Sequence, residues 1–268
     1  MTPDEFAFTA GLIRDRTGFV LTRDKSYLIE NRLGPVVRRH RFKGVGELVG
    51  AVREGVEDLA LEILDAMMTK DTGFFRDWKP FIHLRDETLR DLSRARDSEK
   101  VIRILCAGVS TGQEAYSVAL TLLESGWFLS DWEVDVIGID LSLSALAIAA
   151  RATYSQFEVQ RGLAIHVLAH HFTKHEDGWR LDDAVRRMVE FKTWNLLSDL
   201  APLGRFDVVL CRNVLAYFDL QSKTAVLGKI AKILAPDGRL YLGASETTTG
   251  VTDGFRAVDA GLSVYAPA

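Results

Sequence analysis

The chain has 268 residues, 47% of them hydrophobic and 26% charged. That length points to one large domain or two modest ones, with a core that needs no disulfide or structural metal. Lys and Arg total 33 against 37 Asp and Glu, a formal net charge of −4, which argues against a whole-molecule nucleic-acid binder but leaves room for local basic patches.

The N-terminus MTPDEFAFTAGLIRDR carries early acids and an arginine inside its apolar stretch, unlike a secretory signal. Thr2-Pro3-Asp4 reads as a helix cap, and Phe6, Phe8, Leu12 and Ile13 recur at helical spacing. A second helix is expected over about 26–41, a third in GELVGAVREG, and a fourth from about Val56 to Met68. No alternating strand pattern precedes residue 100, so residues 1–78 are expected to form a small all-helical domain. Segment 79–98 reads as a linking helix that ends in a charged, solvated stretch.

From Lys100 the pattern changes to short apolar runs alternating with helices, the signature of βαβ units and a parallel sheet. VIRILCAG, VDVIGID, VEFKTWNL, FDVVLCRN and GRLYLGASE are the expected strands, and FRAV with LSVYA closes the chain as a hairpin-like pair. The fold class is therefore α/β, with residues 99–268 as the ligand-binding domain. Cys106 and Cys211 fall inside apolar strands and read as buried reduced thiols. No apolar run approaches the roughly 18 residues of a membrane span, so a cytoplasmic protein with no membrane insertion is expected.

In open α/β sheets, ligands sit beyond the carboxyl ends of strands, where the topology switches. The first strand ends in Ala107-Gly108-Val109-Ser110-Thr111-Gly112 and enters a helix directly. This lacks the dinucleotide G-x-G-x-x-G spacing and the P-loop lysine, so it is either a ligand turn of another kind or a tight turn with no ligand. Asp140 ends the second strand, where an acid either holds two ribose hydroxyls or caps the next helix. Together with the turn at Pro236-Asp237-Gly238 and the terminal hairpin, this order resembles the class I methyltransferase (Rossmann-like) fold, whose ligand is S-adenosylmethionine.

Longer strings resemble one family, the chemotaxis-receptor glutamate O-methyltransferases (the CheR family). Thr69-Lys70-Asp71-Thr72-Gly73-Phe74-Phe75-Arg76 is similar to that family's Thr-Asn-x-Thr-x-Phe-Phe-Arg segment. AGVSTGQEAY at 107–116 is similar to its AGCSTGEEPY loop, CRNVLAYFD at 211–219 to its CRNVMIYFD string, and Trp194-Asn195-Leu196 fits its Asn-Leu pair. The resemblance implies methyl transfer from S-adenosylmethionine to receptor glutamates, leaving S-adenosylhomocysteine. It places cofactor contacts at Thr72, Arg76, Gly108, Glu114, Asp140, Asn195, Leu196, Arg212 and Asn213. Arg76 and Tyr217 would lie near the transferred methyl and the incoming glutamate. Taken without the resemblance, Arg76 reads rather as an interdomain ion pair and Tyr217 as a core aromatic with a satisfied hydroxyl. The resemblance also implies a small antiparallel β-subdomain within the insertion at 155–190, which in some relatives grips a receptor-tail peptide.

Lys70 stands where the family usually has Asn, and Gln113 and Ala115 replace its Glu and Pro. A cation beside a sulfonium is unfavourable by about 1 kcal/mol or more. This opens an alternative, an S-adenosylmethionine-responsive signalling module with weak or no methyl transfer. Arg32, Arg38, Arg39, Arg41 and Lys43 lie in a stretch without acids; it is either a solvated face or a docking surface for acidic chemoreceptor helices. His166, His170, His171 and His175 include i, i+4 pairs, but their polar setting reads as non-metal. A monomer is expected.

Overall fold

The computed structural model describes residues 1–126 and 131–268. Helix α1 (Pro3–Thr17) starts at a capping box: the Thr2 hydroxyl accepts the Glu5 amide and the Glu5 carboxylate accepts the Thr2 amide. It stops at Gly18, whose φ of +77° few other residues adopt cheaply. Helices α2 (Ser26–Arg39), α3 (Val45–Arg53) and α4 (Glu57–Met67) complete the N-terminal bundle. Their apolar faces meet at Ile13, Ile29, Leu33, Leu48, Ile63 and Met67, all fully buried.

Helix α5 (Lys79–His83) continues through a π-helical stretch, Leu84–Leu89, into α6 (Arg90–Ala95). The expected linking helix is thus present, with a local widening that no sequence signal marked. It packs with the second domain: Phe81, Leu84, Leu89 and Leu92 join a core that also contains Ile104 and Val208. Phe74, just upstream, meets Tyr154 and Phe172 edge to face.

The large sheet contains β1 (Val101–Ala107), β2 (Glu133–Asp140), β6 (Val189–Thr193), β7 (Phe206–Cys211), β8 (Leu234–Leu242), β9 (Phe255–Asp259) and β10 (Val264–Pro267), in the order β6-β2-β1-β7-β8-β10-β9. All the pairings from β6 to β8 are parallel, and β10 runs antiparallel to both of its neighbours. The chain first builds outward from β1 to β2 and β6, then crosses back to β7, so the switch point lies between β1 and β7. Helices α7 (Gln113–Ser125), α8 (Leu143–Arg151) and α12 (Leu220–Ile233) cover the sheet. Alternate residues of β1 enter opposite cores, Ile104 and Cys106 on one side, Leu105 and Ala107 on the other. This is why its sequence is apolar without alternation. Cys106 and Cys211 are buried free thiols on opposite sides, and burial pushes both thiols well up.

Within the insertion, β3 (Thr153–Tyr154), β5 (Gly178–Leu181) and β4 (Phe172–His175) form a separate antiparallel sheet, accompanied by short helices α9 (Gln156–Gln160), α10 (Ile165–His171) and α11 (Asp183–Arg186). The fold class is as the sequence predicted: an all-helical domain, then a class I methyltransferase sheet with a small antiparallel sheet. One extended contact precedes residue 100, an antiparallel bridge between Phe19 and Phe218 that ties the two domains together.

Candidate functional site

The turn after β1 forms the floor of a cleft at the switch point. Gly108 and Gly112 have φ of +77° and +94°. A Cβ on Gly108 would sit 2.4 Å from Val214 Cγ2, so the loops after β1 and β7 touch only because that side chain is absent. The amides of Gly108 and Val109 donate to the Ile139 carbonyl, which pins this turn to the end of β2. Ser110, at φ +53°, donates its amide to Asp140 Oδ2 at 2.8 Å, and Ser142 donates its amide to Oδ1 at 2.8 Å. Burial pushes the Asp140 carboxyl above its usual value, and the amides of Ser142, Ser110 and Leu141 oppose the shift. The helix-cap alternative for Asp140 fails: Ser142 caps α8 through its hydroxyl and the Ala145 amide.

Arg212 forms the back wall, with a side chain only 1% exposed. Its Nη1 donates to Glu114 Oε2 at 3.0 Å. Its Nη2 donates to the Arg76 carbonyl at 2.8 Å and to Asp77 Oδ2 at 3.1 Å. Arg212 thereby fixes a turn in which Phe75 and Asp77 both have positive φ, at 46° and 59°. Ser110 and Asn213, at φ +53° and +59°, are strained in the same way on the facing loops. Non-glycine residues held in this region cost of order 1–3 kcal/mol each and gather where function requires a fixed geometry. From this turn the Arg76 side chain reaches back to the Asp71 carbonyl, with Nη1 to oxygen at 3.0 Å.

The N-terminal domain closes the cleft. Phe19 stacks on Tyr217 with ring centroids 4.9 Å apart, and the Val20 amide donates to the Tyr217 carbonyl. Asn195 donates Nδ2 to the Arg16 carbonyl at 2.7 Å while its Oδ1 accepts the Leu197 amide. Asp65 accepts both the amide and hydroxyl of Ser144 and the hydroxyl of Ser142, gripping the start of α8 across the domain boundary.

Every residue that the resemblance places at the cofactor or the incoming glutamate lines this one cleft: Thr72, Arg76, Gly108, Glu114, Asp140, Asn195, Leu196, Arg212, Asn213 and Tyr217. It holds about 960 Å³ of non-protein space, counting the solvent in its open mouth. Ser110, Asp71, Trp194, Phe19 and Met68 also line it and escaped the sequence reading. Asp71 and Ser110 lay inside the motifs, Asp71 at the open position of its segment and Ser110 at a matching one. Phe19 and Met68 come from the other domain, and nothing local connects them to the site. Lys70 is not among the lining residues; its Nζ donates to Ser144 Oγ at 2.6 Å. Gln113 accepts from the Thr111 hydroxyl and donates toward Glu158, so this replacement ties the cleft loop to the insertion.

Within the basic stretch, Arg32 is half-buried and donates to the Met67 carbonyl and to Thr69 Oγ1. Arg39 and His40 both reach Glu62, Lys43 lies 3.8 Å from Glu47, and Arg38 and Arg41 are exposed. His166, His170 and His175 are exposed, His171 is half-buried, and His170 faces the His166 carbonyl.

Comparison with known proteins gives two matches that divide the chain. Residues 4–68 match the all-alpha domain of CheR methyltransferase, and residues 70–263 match its SAM binding domain. The chain belongs to the CheR methyltransferase family. The chemotaxis protein methyltransferase of Vibrio parahaemolyticus is 35% identical over 96% of this chain and 94% of its own. Chemotaxis protein methyltransferase 1 of Pseudomonas aeruginosa is 35% identical over 90% of this chain and 89% of its own. A chemotaxis protein methyltransferase of Borreliella burgdorferi is 29% identical over 93% and 90%. As a CheR protein this chain is an S-adenosylmethionine-dependent methyltransferase. The cleft of this CheR protein fits that cofactor: among the described residues, three buried side-chain polar atoms lack a partner, and two of them, Ser110 Oγ and Arg212 Nε, belong to cleft-lining residues. Unpaired buried polar atoms are costly, and a polar ligand with hydroxyl, amine and carboxylate groups is the kind that could pair them.

Proposed function

We propose that this CheR protein transfers the methyl group of S-adenosylmethionine to glutamate side-chain carboxylates of a chemoreceptor, giving glutamate methyl esters and S-adenosylhomocysteine. The observation that carries this reading is the convergence of Arg76, Asp140, Arg212, Asn213 and Tyr217, from three separate stretches of sequence, on one cleft. The names of the relatives, chemotaxis protein methyltransferases, supply the substrate class.

When bound, S-adenosylmethionine supplies a methyl carbon made electrophilic by its sulfonium. In this reading Asp140 accepts the ribose hydroxyls through the lone pairs that Ser110 and Ser142 leave free. Asn195 and Leu196 border the adenine, while Thr72, Gly108, Glu114, Arg212 and Asn213 shape the remaining wall. A glutamate carboxylate, with an ordinary pKa of about 4.3, arrives already ionised. The protein therefore needs no general base, and its task is alignment and exclusion of water. Arg76 and the Tyr217 hydroxyl orient the carboxylate so that one oxygen remains free to attack.

The receptor helices dock on the exposed cations Arg38, Arg41 and Lys43, with Arg39 at the edge of the same face; Arg32 is committed to supporting the 67–69 segment. Among the described residues no helix is long and apolar enough to cross a membrane, and we place the protein in the cytoplasm, acting as a monomer. The test is methyl transfer from tritiated S-adenosylmethionine to a purified chemoreceptor cytoplasmic fragment, beside calorimetric titration with the cofactor. Base-labile label on glutamate, with both binding and transfer lost in Asp140→Ala, is expected. Normal cofactor binding without base-labile label on any chemoreceptor fragment would refute the substrate assignment.

A further inference from the structure

Asp71 lines the cleft yet has no part in the reading above. Its carboxylate stands between two arginines. Oδ2 lies 3.6 Å from Arg76 Nη2, an ion pair too long for a hydrogen bond. Oδ1 accepts Arg161 Nη1 at 3.1 Å. Arg161 belongs to the insertion, in the turn between α9 and α10. That turn is seated on the Arg76 segment: a Cβ on Gly162, at φ +107°, would fall 1.9 Å from the Phe74 carbonyl oxygen. The insertion thus delivers a cation to the carboxylate that, among the described residues, pairs with the proposed substrate-orienting arginine.

We infer that Asp71 is a positioning residue that competes with the substrate carboxylate for Arg76, and that Arg161 sets the strength of the competition. This rests on the assignment of Arg76 to the glutamate. With the Asp71 carboxylate offsetting part of the guanidinium charge and the Asp71 carbonyl holding Nη1, Arg76 grips an incoming carboxylate less fully, and one of its oxygens stays free to attack. Without the Asp71 charge, Arg76 keeps its full positive field and can grip both substrate oxygens, a stronger but less reactive arrangement. Without Arg161, Asp71 turns wholly to Arg76 and excludes the substrate more effectively.

The two substitutions therefore act in opposite directions. Asp71→Asn lowers both KM for a purified chemoreceptor cytoplasmic fragment and kcat, the latter about tenfold, as expected when ground-state binding is gained at the expense of reactivity. Arg161→Gln raises KM about fivefold and leaves kcat near its starting value. A merely structural role for either residue would move KM in the same direction in both variants, and that result would overturn the inference. A second measurement needs no receptor. Phenylglyoxal attacks a guanidinium only after it loses a proton, so a neighbouring carboxylate slows the reaction. In the full-length protein, with labelling at Arg76 read by peptide mass mapping, Asp71→Asn should speed modification about threefold and Arg161→Gln should slow it. Equal rates in wild type and both variants would also sink the inference. Absence of base-labile transfer by the wild type would instead remove the glutamate reading, while the labelling rates would still decide whether Asp71 and Arg161 control Arg76.

Discussion

Arg212 and Glu114 meet across the floor of the cleft, Nη1 to Oε2 at 3.0 Å, in a setting that leaves the arginine side chain 1% and the glutamate 12% exposed. Burial pushes the Glu114 carboxyl up, and the charge and hydrogen bond of Arg212 oppose that shift. Removing one partner of such a pair leaves the other charge buried and costs about 3–5 kcal/mol. Glu114→Ala should fall at the lower end of that range, because Arg212 keeps Asp77 and the Arg76 carbonyl. Glu114→Gln, which retains an acceptor, should cost less. Urea denaturation of the two variants beside the wild type measures both values; equal stability of all three would show that the pair contributes nothing.

Asp140 gives a pH signature with two opposite signs. Burial raises its carboxyl above the ordinary value of about 3.9. The folded state therefore holds this proton more tightly than the unfolded chain. Asp140's contribution to stability is greatest below the unfolded value and is lost as pH rises through the raised folded value. Cofactor binding should run the other way if Asp140 holds the ribose as proposed, since only the ionised carboxylate can accept both ribose hydroxyls. Calorimetric affinity for S-adenosylmethionine should weaken on acidification at a pH above that of an ordinary carboxylate, and Asp140→Asn should abolish that limb of the profile while binding weakly throughout.

Lys70 is the residue whose charge most threatened cofactor binding on sequence grounds. Its Nζ is committed to Ser144 on α8, beside Asp65. Lys70→Asn should therefore change affinity for S-adenosylmethionine by less than about twofold, under 0.5 kcal/mol. A tenfold gain in the variant would show that the ammonium acts on the sulfonium after all.

Asp65 links the helical domain to the loop that carries Asp140. Burial acts to raise its carboxyl, but the hydrogen bonds of Ser144 and Ser142 and the charge of Lys70 together hold it below the ordinary value. The stability it supplies is present above the unfolded pKa and is lost as pH falls through the folded one. Asp65→Ala should cost about 1–2 kcal/mol and weaken cofactor affinity, because Ser142 also donates its amide to Asp140. Thermal melts with and without S-adenosylmethionine separate the two effects.

Arg38 and Arg41 are the exposed cations of the proposed docking face. Reversing both to Glu should weaken binding of a chemoreceptor fragment by about tenfold, mostly through the association rate and more at low salt. Cofactor affinity should stay unchanged. Receptor binding indifferent to both the reversal and salt would exclude this face.

Much of the molecule was legible in the sequence because local rules carry it. The capping box at Thr2 and Glu5, the unbroken apolar run of β1 and the glycines at 108 and 112 each announce a structure through their own neighbours. The motifs around Arg76, Asp140, Arg212 and Tyr217 were recognisable for the same reason. The Phe19–Phe218 bridge was not, since it joins residues far apart in the chain, and no local signal marks the π-helical stretch at 84–89.

The sequence by itself determined the helical domain, the alternating α/β order, the family and ten of the residues that line the cleft. Tertiary structure decided what those residues touch. Lys70 turns to Ser144 instead of the cleft, Arg32 supports the 67–69 segment instead of facing solvent, and Asp71 falls between Arg76 and Arg161. The physical reason is that these polar and ionic contacts depend on distances of a few ångströms between segments from 35 to 90 residues apart. Periodicity and spacing encode which face a residue occupies, but a long, flexible lysine or arginine finds its partner only after the domains have packed.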